Sequence, residues 1–332
     1  MDSKRSREWV GPGQQASVIV CAYTEKRWPQ IEMALDSIAR QTVPPREVIV
    51  IVDHNPSLQE RLEAEYPKLE VIPNKFERGL SGARNTGILH SAGDIVVFLD
   101  DDARAEPRWL ETLLAPYDDE SVLGVGGLAL PDWDSVARPS WLPDEFLWVV
   151  GCSYRGLPEA RAEIRNPVGA NMSFRRSAFD RAGLFDSSVG RNVLDSRPAG
   201  CEETEFSIRL IQLWPNGKII HEPQAVVHHH VDPSRGTWRY FFDRCYAEGR
   251  SKARVARLSQ RSAALSSERA YVLQTIPSAI GREFRGGLRP HGKNARGRLA
   301  ALVLGVGWTA GGYLRARVAT SKFSFREQGQ AG

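Results

Sequence analysis

Short apolar segments alternate with amphipathic ones over the first 117 residues of the chain. Four of them are rich in β-branched residues and are predicted to be strands: 17–23, 47–53, 69–72 and 94–100. Predicted helices fill the intervals at 29–42, 57–66 and 81–92, and another follows at 107–117. Because strands that alternate with helices form a parallel sheet covered on both faces, the sequence predicts an α/β fold with a doubly wound, mostly parallel sheet.

The pattern changes after about residue 118. A stretch rich in Pro and Trp, 131–150, is predicted to be an irregular wall or flap. Further strands are predicted at 171–175, 217–221 and 225–230, with a helix at 203–214. From Thr237 onward the chain is predicted to be helical and basic.

Charge is unevenly distributed along the 332 residues. The segment from Arg250 to the end has 16 Lys and Arg against 3 Asp and Glu, a net charge of +13, whereas the preceding residues have 28 against 37, or −9. The basic segment is therefore expected to have a different electrostatic partner from the acidic body. The four cysteines lack the spacing of a disulfide framework or a zinc site, and the N-terminus lacks the apolar core of a secretory signal, so we expect a cytoplasmic chain with reduced thiols.

Acidic residues follow three of the predicted strands. The chain has Tyr23-Thr24-Glu25 after the first strand, Asp53 after the second and the triplet 100–102, all Asp, after the fourth. Ligands of doubly wound sheets bind at the carboxyl ends of the strands, so these carboxylates are expected to converge. Such a cluster suits Mg²⁺ or Mn²⁺ holding a phosphate-bearing substrate. The alternative is that the triplet caps the helix that follows Pro107 and is solvated.

A glycine-containing segment, RGLSGARN at 78–85, precedes and begins the third predicted helix. Free backbone N–H groups at a helix N-terminus favour an anion, and Arg78 and Arg84 add positive charge. Alone, the segment is better explained as an ordinary loop with an N-cap. Together with the acidic triplet, it favours a site for a diphosphate and a metal ion.

Six motifs occur in a fixed order along the chain: SVIVCAYTE, VIVIVD, RGLSGARNTGILHSAGDIVVFLDDD, GANMSFRR, GCEETEFSIRL and AVVHHH. The ordered set, from about Ser17 to about His230, resembles the family 2 glycosyltransferases of the GT-A fold. The resemblance implies inverting transfer of a sugar from a nucleoside diphosphate sugar, with Mg²⁺ or Mn²⁺ bound.

The resemblance also implies roles for the donor-side residues. Asp53 is expected to contact the nucleotide base, Asp100 the ribose or the metal, and Asp102 the metal directly. Arg84 is expected to face the diphosphate. The predicted donor site is completed by Tyr23, Glu25, Arg78 and Asp101.

Four regions follow from this comparison. A disordered N-terminus is expected at 1–16, the nucleotide-sugar-binding half of a GT-A domain at 17–117 and its acceptor-binding half at 118–236. A helical basic C-terminal extension is expected at 237–332.

The catalytic base is expected in Gly200-Cys201-Glu202-Glu203, where the family usually has Glu-Asp. A carboxylate there would take the proton of the acceptor hydroxyl. Helical spacing puts Glu202 and Glu203 on the inward face with Phe206, Leu210, Leu213 and Trp214, whereas Glu205 is expected to pair with Arg209 four residues later. Glu203 aligns with the family's Asp, but its longer side chain leaves Glu202 open as the alternative.

A histidine and two further residues complete the predicted site. On the strand that ends at His230, alternation puts His228 and His230 on one face and His229 on the other. His228 is the best match to the family's third metal or diphosphate contact, with a structural role as the alternative. Asn171 and Trp148 are assigned to the acceptor, although large aromatic residues are more often core or lid.

Other functions remain as alternatives. A sugar-phosphate nucleotidyltransferase would need a glycine-rich signature near the N-terminus, which VIVCAYTEKRW lacks. A catalytically silent sugar-nucleotide-binding protein would not need the acidic triplet together with Glu202 and Glu203. Nucleic acid is not expected as a partner, because the basic segment has few stacking aromatic residues and no recognised module.

The C-terminal segment 299–314 has sixteen uncharged positions flanked by arginines. It is shorter than the roughly 20 residues of a spanning helix, and a buried helix packed on the catalytic domain is one interpretation. The surrounding positive charge and the aromatic residues Trp308 and Tyr313 favour peripheral attachment to the inner face of an anionic cell membrane. That location would suit a lipid-linked, glycolipid or polysaccharide acceptor of cell-envelope biosynthesis.

Overall fold

A computed structural model describes residues 15–133, 137–189, 200–258, 266–287 and 293–328. The disordered N-terminus predicted at 1–16 lies outside these ranges except for its last two residues. Within them the chain forms one mixed sheet flanked by helices, followed by a helical C-terminal segment.

The sheet contains nine strands in the described part of the chain. They are β1 (Ala16–Ala22), β2 (Glu47–Val52), β3 (Glu70–Pro73), β4 (Ile95–Asp100), β5 (Ala103–Ala105), β6 (Val122–Asp132), β7 (Ala162–Glu163), β8 (Asn171–Arg175) and β9 (Lys218–His230). Their order is β3-β2-β1-β4-β8-β6-β9-β5, and β7 pairs with β9 outside this path. The pairs β3–β2, β2–β1, β1–β4 and β6–β9 are parallel, and the pairs β4–β8, β8–β6, β9–β5 and β7–β9 are antiparallel. The predicted α/β class and the four predicted N-terminal strands are confirmed.

Helices cover both faces of the sheet because alternate residues of each buried strand point to opposite sides. In β1, Val18 and Val20 pack in one core and Ile19 in the other. The first core includes α1 (Trp28–Ala39), α2 (Pro56–Glu65) and α4 (Trp109–Leu114). The second includes α3 (Leu80–His90), α5 (Arg176–Ala182) and α6 (Glu202–Leu213).

The long strand β6 is absent from the sequence prediction, which has no strand between residues 118 and 171. Its glycines lower its strand propensity. The fold requires them, since a Cβ on Gly124 would lie 2.7 Å from the Phe174 ring. β9 is likewise one strand with a register shift opposite β6, where the sequence predicts two strands.

The C-terminal segment forms four helices in the described ranges: α7 (Trp238–Leu258), α8 (Ser266–Ala270), α9 (Ile276–Gly287) and α10 (Lys293–Gln328). A π-helical turn, Tyr271–Thr275, joins α8 to α9. These helices build a third core with the Pro- and Trp-rich stretch, in which Phe146, Phe241 and Leu302 are buried. The stretch predicted as a wall therefore supports the C-terminal helices, and it includes a 3₁₀ helix at Asp144–Val150.

Close contact between α7 and α10 depends on glycines. A Cβ on Gly249 would collide with the backbone of α10 at Thr309, and one on Gly312 would collide with the Tyr246 carbonyl of α7. The opposite side of α10 is different, because a Cβ on Gly307 or Gly311 would meet nothing within 4 Å. One face of α10 is therefore packed against the protein, and the other faces outward.

Adjacent glycines of α10 allow a matched test of this packing. Gly311→Ala should raise the free energy of unfolding by up to about 1 kcal/mol, because alanine favours a helix and its methyl group meets open space. Gly312→Ala should lower it by about 1–3 kcal/mol, because α7 and α10 must move apart. Urea unfolding of both variants measures the difference, and equal effects would contradict the described packing.

Candidate active site

Three potential metal ligands meet where β4 ends and β9 passes. Asp100 is the last residue of β4, Asp102 lies in the turn that follows, and Ala103 of β5 pairs with His229 of β9. His229 Nε2 lies 3.3 Å from Asp102 Oδ1 and 3.9 Å from Asp100 Oδ2. One ligand atom from each of the three residues lies within 4.8 Å of the other two, a spacing that one ion can bridge. Carboxylate oxygens suit Mg²⁺ and Mn²⁺, so these residues fit the predicted cofactor.

The ring of His229 is held from its other side. Its Nδ1 lies 3.8 Å from Cys152 Sγ. Gly151, with a φ of 90°, passes so close that its Cβ would lie 3.1 Å from His229 Cε1. A side chain at Gly151 would therefore strain the backbone and crowd the imidazole.

Cations compensate the buried carboxylate of Asp102. Burial alone would raise its pKa, but His229 and then Arg27 and Arg235 lower the pKa well below its usual range. Arg27 Nη1 lies 3.0 Å from Asp102 Oδ2. Asp102 is therefore held ionised, as a metal ligand must be, and a bound divalent cation would take the place of the proton on His229.

The prediction of His228 as the metal ligand is wrong. His228 Nε2 lies 3.1 Å from Glu106 Oε1, and His229 occupies the site between Asp100 and Asp102. The predicted alternation is confirmed, but His229, not His228, lies on the buried face. Ala225, Val227 and Val231 are all buried at the same alternate positions as His229. That apolar register in the sequence could have identified His229 as the inward residue.

Arg84 lies between the metal-binding end and the predicted base. It is 2% exposed, and its guanidinium contacts Asp100 Oδ1 at 3.4 Å, Glu202 Oε1 at 3.0 Å and the Gly169 carbonyl at 2.9 Å. Arg84 thus lines the cavity, but its hydrogen bonds already go to protein oxygens. Its contact with a donor diphosphate stays a prediction.

The two glutamates at the start of α6 have different environments. Glu202 is buried in its ion pair with Arg84, and its second oxygen has no hydrogen-bond partner among the described residues. Glu203 is half-buried, and burial followed by the charge of Glu202 raises its pKa to about 7. A carboxylate with that pKa can accept a proton near neutral pH.

The rest of α6 agrees with the predicted pattern apart from one residue. Phe206 and Leu210 are buried, and Arg209 forms the predicted ion pair with Glu205 at 2.8 Å. Leu213 is 45% exposed, so its assignment to the inward face is wrong. It is the last residue of the helix.

One cavity of about 1700 Å³ connects these groups. Asp100, Asp102, His229 and Glu203 line it together, and so does Trp148, which was assigned to the acceptor. The indole N–H of Trp148 donates a 3.3 Å hydrogen bond to Tyr271, and its ring lies under Arg244.

Asn171 does not face the cavity. Its side chain is fully buried, donates to the carbonyls of Leu128 and Ala225, and accepts from the Trp109 indole at 2.8 Å. Its assignment to the acceptor is therefore wrong. Asn171 joins β6, β9 and α4 because the fold needs a polar group at that buried crossing.

The other predicted donor residues lie at the strand ends outside the cavity lining. Asp53 accepts hydrogen bonds from the Gly79 backbone at 3.0 Å and from Asn74 at 2.7 Å, so it holds the loop that begins α3. Asp101 is buried and accepts a 2.6 Å bond from Arg27. Tyr23, Glu25 and Arg78 are exposed. Their contact with a donor stays a prediction.

Solved structures with the same fold are glycosyltransferases. The mannosyltransferase PcManGT from Pyrobaculum calidifontis, in complex with GDP-Man and Mn²⁺, superposes with a TM-score of 0.57 at 20% identity, covering 91% of this chain and 87% of that one. GalNAc-T7 with UDP, GalNAc and Mn²⁺ gives a TM-score of 0.51 at 19% identity, covering 72% of this chain and 48% of that one. The fold is the GT-A fold of glycosyltransferases.

Sequence comparison identifies the family. The glucosyl-dolichyl phosphate glucuronosyltransferase of Haloferax volcanii is 34% identical over 243 residues, 72% of this chain and 76% of that protein. The succinoglycan biosynthesis protein ExoM of Rhizobium meliloti is 29% identical over 245 residues, 71% of this chain and 73% of ExoM. The pattern of "Glycosyl transferase family 2" matches residues 17–183. The chain is a glycosyltransferase and belongs to this family.

Neighbouring histidines provide a matched test of the metal site. His229→Ala should weaken Mn²⁺ binding by about tenfold or more, because one ligand is removed. His228→Ala should leave Mn²⁺ binding unchanged, since His228 faces Glu106. Titration of free Mn²⁺ by electron paramagnetic resonance measures both affinities without any turnover. Equal losses in the two variants would contradict the site.

Proposed function

We propose that this protein transfers a glycosyl group from a nucleoside diphosphate sugar to a hydroxyl acceptor, with inversion at the anomeric carbon. The observation that carries the proposal is the arrangement of one cavity. The cavity is lined by Asp100, Asp102 and His229, which are spaced to hold a metal ion. It is also lined by Glu203, a half-buried carboxylate with a raised pKa. The two similar structures were solved with Mn²⁺ and a nucleotide or nucleotide sugar, which supports this assignment.

Each end of the cavity has a distinct role in the proposal. When bound, a divalent cation at Asp100, Asp102 and His229 would offset the charge of the leaving diphosphate. Glu203 removes the proton from the acceptor hydroxyl as that oxygen bonds to the anomeric carbon. Arg84 holds Glu202 beside Glu203, and the negative charge of Glu202 raises the basicity of Glu203.

The two glutamates can be separated by their pH dependence. Glu203→Gln should lower transfer by about 10²-fold or more while donor binding survives, because the variant has no base. Glu202→Gln removes a negative charge from beside Glu203, so the pKa of Glu203 should fall. Transfer by the wild type should therefore rise through about pH 7, and in Glu202→Gln the rise should move to lower pH.

The measurement is the pH profile of transfer with the donor chosen from a panel of sugar nucleotides in the presence of Mn²⁺. An active Glu203→Gln with an inactive Glu202→Gln would make Glu202 the base. Donor binding by the wild type with no transfer to any acceptor would favour the catalytically silent alternative.

The C-terminal helices support a location at the inner face of the cell membrane. Of the fifteen exposed large apolar side chains in the described ranges, nine lie between Leu258 and Val318. Arg285, Arg296, Arg315 and Arg317 are exposed in the same region. Clustered basic residues next to apolar ones fit an anionic bilayer surface.

The attachment is proposed to be peripheral rather than spanning. By length and composition alone Asn294–Val318 could cross a membrane, with a mean hydropathy of 1.2 and 22% of its most apolar window buried. However, Gly305 and Gly312 of this helix pack on the protein, so lipid cannot surround it. The names of the two relatives, a dolichyl phosphate-sugar enzyme and a succinoglycan biosynthesis protein, support a lipid-linked or polysaccharide acceptor.

Sedimentation with lipid vesicles tests the attachment. The full-length protein should bind vesicles that contain phosphatidylserine at low salt and bind neutral vesicles less, because each basic residue near an anionic surface contributes about 1 kcal/mol. The double change Val303→Gln and Leu304→Gln should weaken binding, since both residues are exposed on α10. Leu89→Gln is the control, as Leu89 is also exposed but lies on α3, outside the C-terminal helices. A wild-type protein that does not bind anionic vesicles would contradict the proposal.

A further inference from the structure

Five charged residues form a continuous chain of ion pairs in the wall of the cavity. Arg244 Nη1 lies 2.8 Å from Glu248 and Lys252 Nζ 3.0 Å from Glu248. Lys252 Nζ also lies 2.6 Å from Glu268, which accepts a 2.9 Å bond from Arg165. We call this set the ionic chain. All five residues line the cavity, and none belongs to the metal site or to the proposed base.

The ionic chain has more positive than negative charge. It has three cationic side chains and two carboxylates. Burial alone would raise the pKa of Glu248, but Lys252 and Arg244 lower it to about 2, so the carboxylates stay ionised at neutral pH. One net positive charge therefore faces a partly desolvated cavity, where an anion interacts more strongly than in water.

The cationic residues are accessible from the cavity. The side chains of Arg244 and Lys252 are 17% and 21% exposed. Arg244 also lies over the Trp148 ring, with 5.8 Å between its guanidinium carbon and the ring centroid. A ligand in the cavity can therefore reach both cations without disrupting α7, the helix to which they belong.

The ionic chain lies beside the proposed base. Cys201, which immediately precedes the two glutamates of α6, donates from its thiol to Glu248 at 3.4 Å. A Cβ on Gly200 would lie 3.1 Å from Arg244 Nη2. An anionic group held at the ionic chain would therefore place the rest of its molecule close to Glu203, on the acceptor side.

An apolar rim adjoins the ionic chain. Leu258, Val272, Ala310 and Leu314 line the same cavity and are also exposed at the surface. Residues that do both mark an opening of the cavity. Because they belong to α7, the π-helical turn and α10, this opening lies among the helices that have the exposed apolar and basic residues.

We propose that the ionic chain binds the phosphate of a lipid-phosphate-linked sugar. Its hydrocarbon chain leaves the cavity over the apolar rim, and a hydroxyl of its sugar is the acceptor at Glu203. This inference rests on the proposed function, because it names the acceptor of that reaction. Excess positive charge beside an apolar exit matches a phosphate joined to a hydrocarbon chain. A free acidic glycan would match the charge but not the rim.

Binding of farnesyl phosphate to the full-length protein, measured by calorimetry below its micelle concentration, tests the inference. Farnesyl phosphate should bind at least about tenfold more tightly than farnesol or inorganic phosphate, because it alone has both features. Lys252→Gln should lower the affinity for farnesyl phosphate about tenfold or more and leave the affinity for farnesol unchanged. Lys252→Arg should keep the affinity. Arg254→Gln, on the exposed part of α7, is the control for lost charge.

The rim has its own matched variants. Leu314→Gln should lower the affinity for farnesyl phosphate and for farnesol alike. Val303 is on α10 but outside the cavity lining, so Val303→Gln should change neither affinity. Both positions are exposed, so these variants should fold even if Lys252→Gln does not. Inorganic phosphate bound as tightly as farnesyl phosphate would overturn the lipid part, and unchanged affinity in Lys252→Gln would overturn the assigned subsite.

Two further measurements separate this inference from the proposed function. UDP and GDP with Mn²⁺ should not compete with farnesyl phosphate, and competition would overturn the inference by placing the donor at the ionic chain. Glu203→Gln should bind farnesyl phosphate normally while its transfer is lost. If Glu203→Gln remains active, the proposed base fails while the lipid-phosphate subsite stands on its own binding data.

Discussion

The buried guanidinium of Arg84 joins the two halves of the active site. It comes from α3 in the first half of the sheet and pairs with Asp100 of β4 and with Glu202 of α6 in the second half. A buried cation without partners is very unfavourable, so Arg84, Asp100 and Glu202 hold one another in place. The distance between the proposed metal site and the proposed base is thereby set by one side chain. Burial raises the pKa of Glu203, and the charge of Glu202, which Arg84 keeps beside it, raises that pKa further.

The C-terminal helices complete this site as well as covering the protein. Their residues form the third core with the stretch around Phe146, and they contribute Arg244, Glu248, Lys252 and Glu268 to the cavity wall. The glycines of α7 and α10 let the two backbones approach, which leaves the outer face of α10 free. The same helices thus have an inner, charged side toward the acceptor and an outer, apolar and basic side toward the solvent. Helices with these two sides would bring a membrane-bound acceptor close to the proposed base, Glu203.

The parts of the fold that obey a local pattern could be predicted from the sequence, and those set by tertiary contacts could not. Strands β1 to β4 and the acidic triplet were predictable because their apolar runs and the position of the triplet are local features. Strand β6 was not, since its glycines disfavour a strand and make sense only against Phe174 and Asn171. His229 is an intermediate case: alternation alone does not show which face of β9 is buried, but the apolar residues Ala225, Val227 and Val231 in the register of His229 indicate that face. Arg84 and Glu202 are in contact although they are 118 positions apart in the sequence, and a single sequence has no pattern that indicates such a contact.

A double-mutant cycle on Arg84 and Glu202 tests most directly whether this pair holds the site together. Arg84→Met should lower the free energy of unfolding by about 3–5 kcal/mol, because it leaves Asp100 and Glu202 as uncompensated carboxylates. Adding Glu202→Gln should recover part of that loss, giving a coupling energy on the order of 1–3 kcal/mol in urea unfolding. Effects that add to within about 0.5 kcal/mol would show that the two side chains do not depend on each other and would contradict the account.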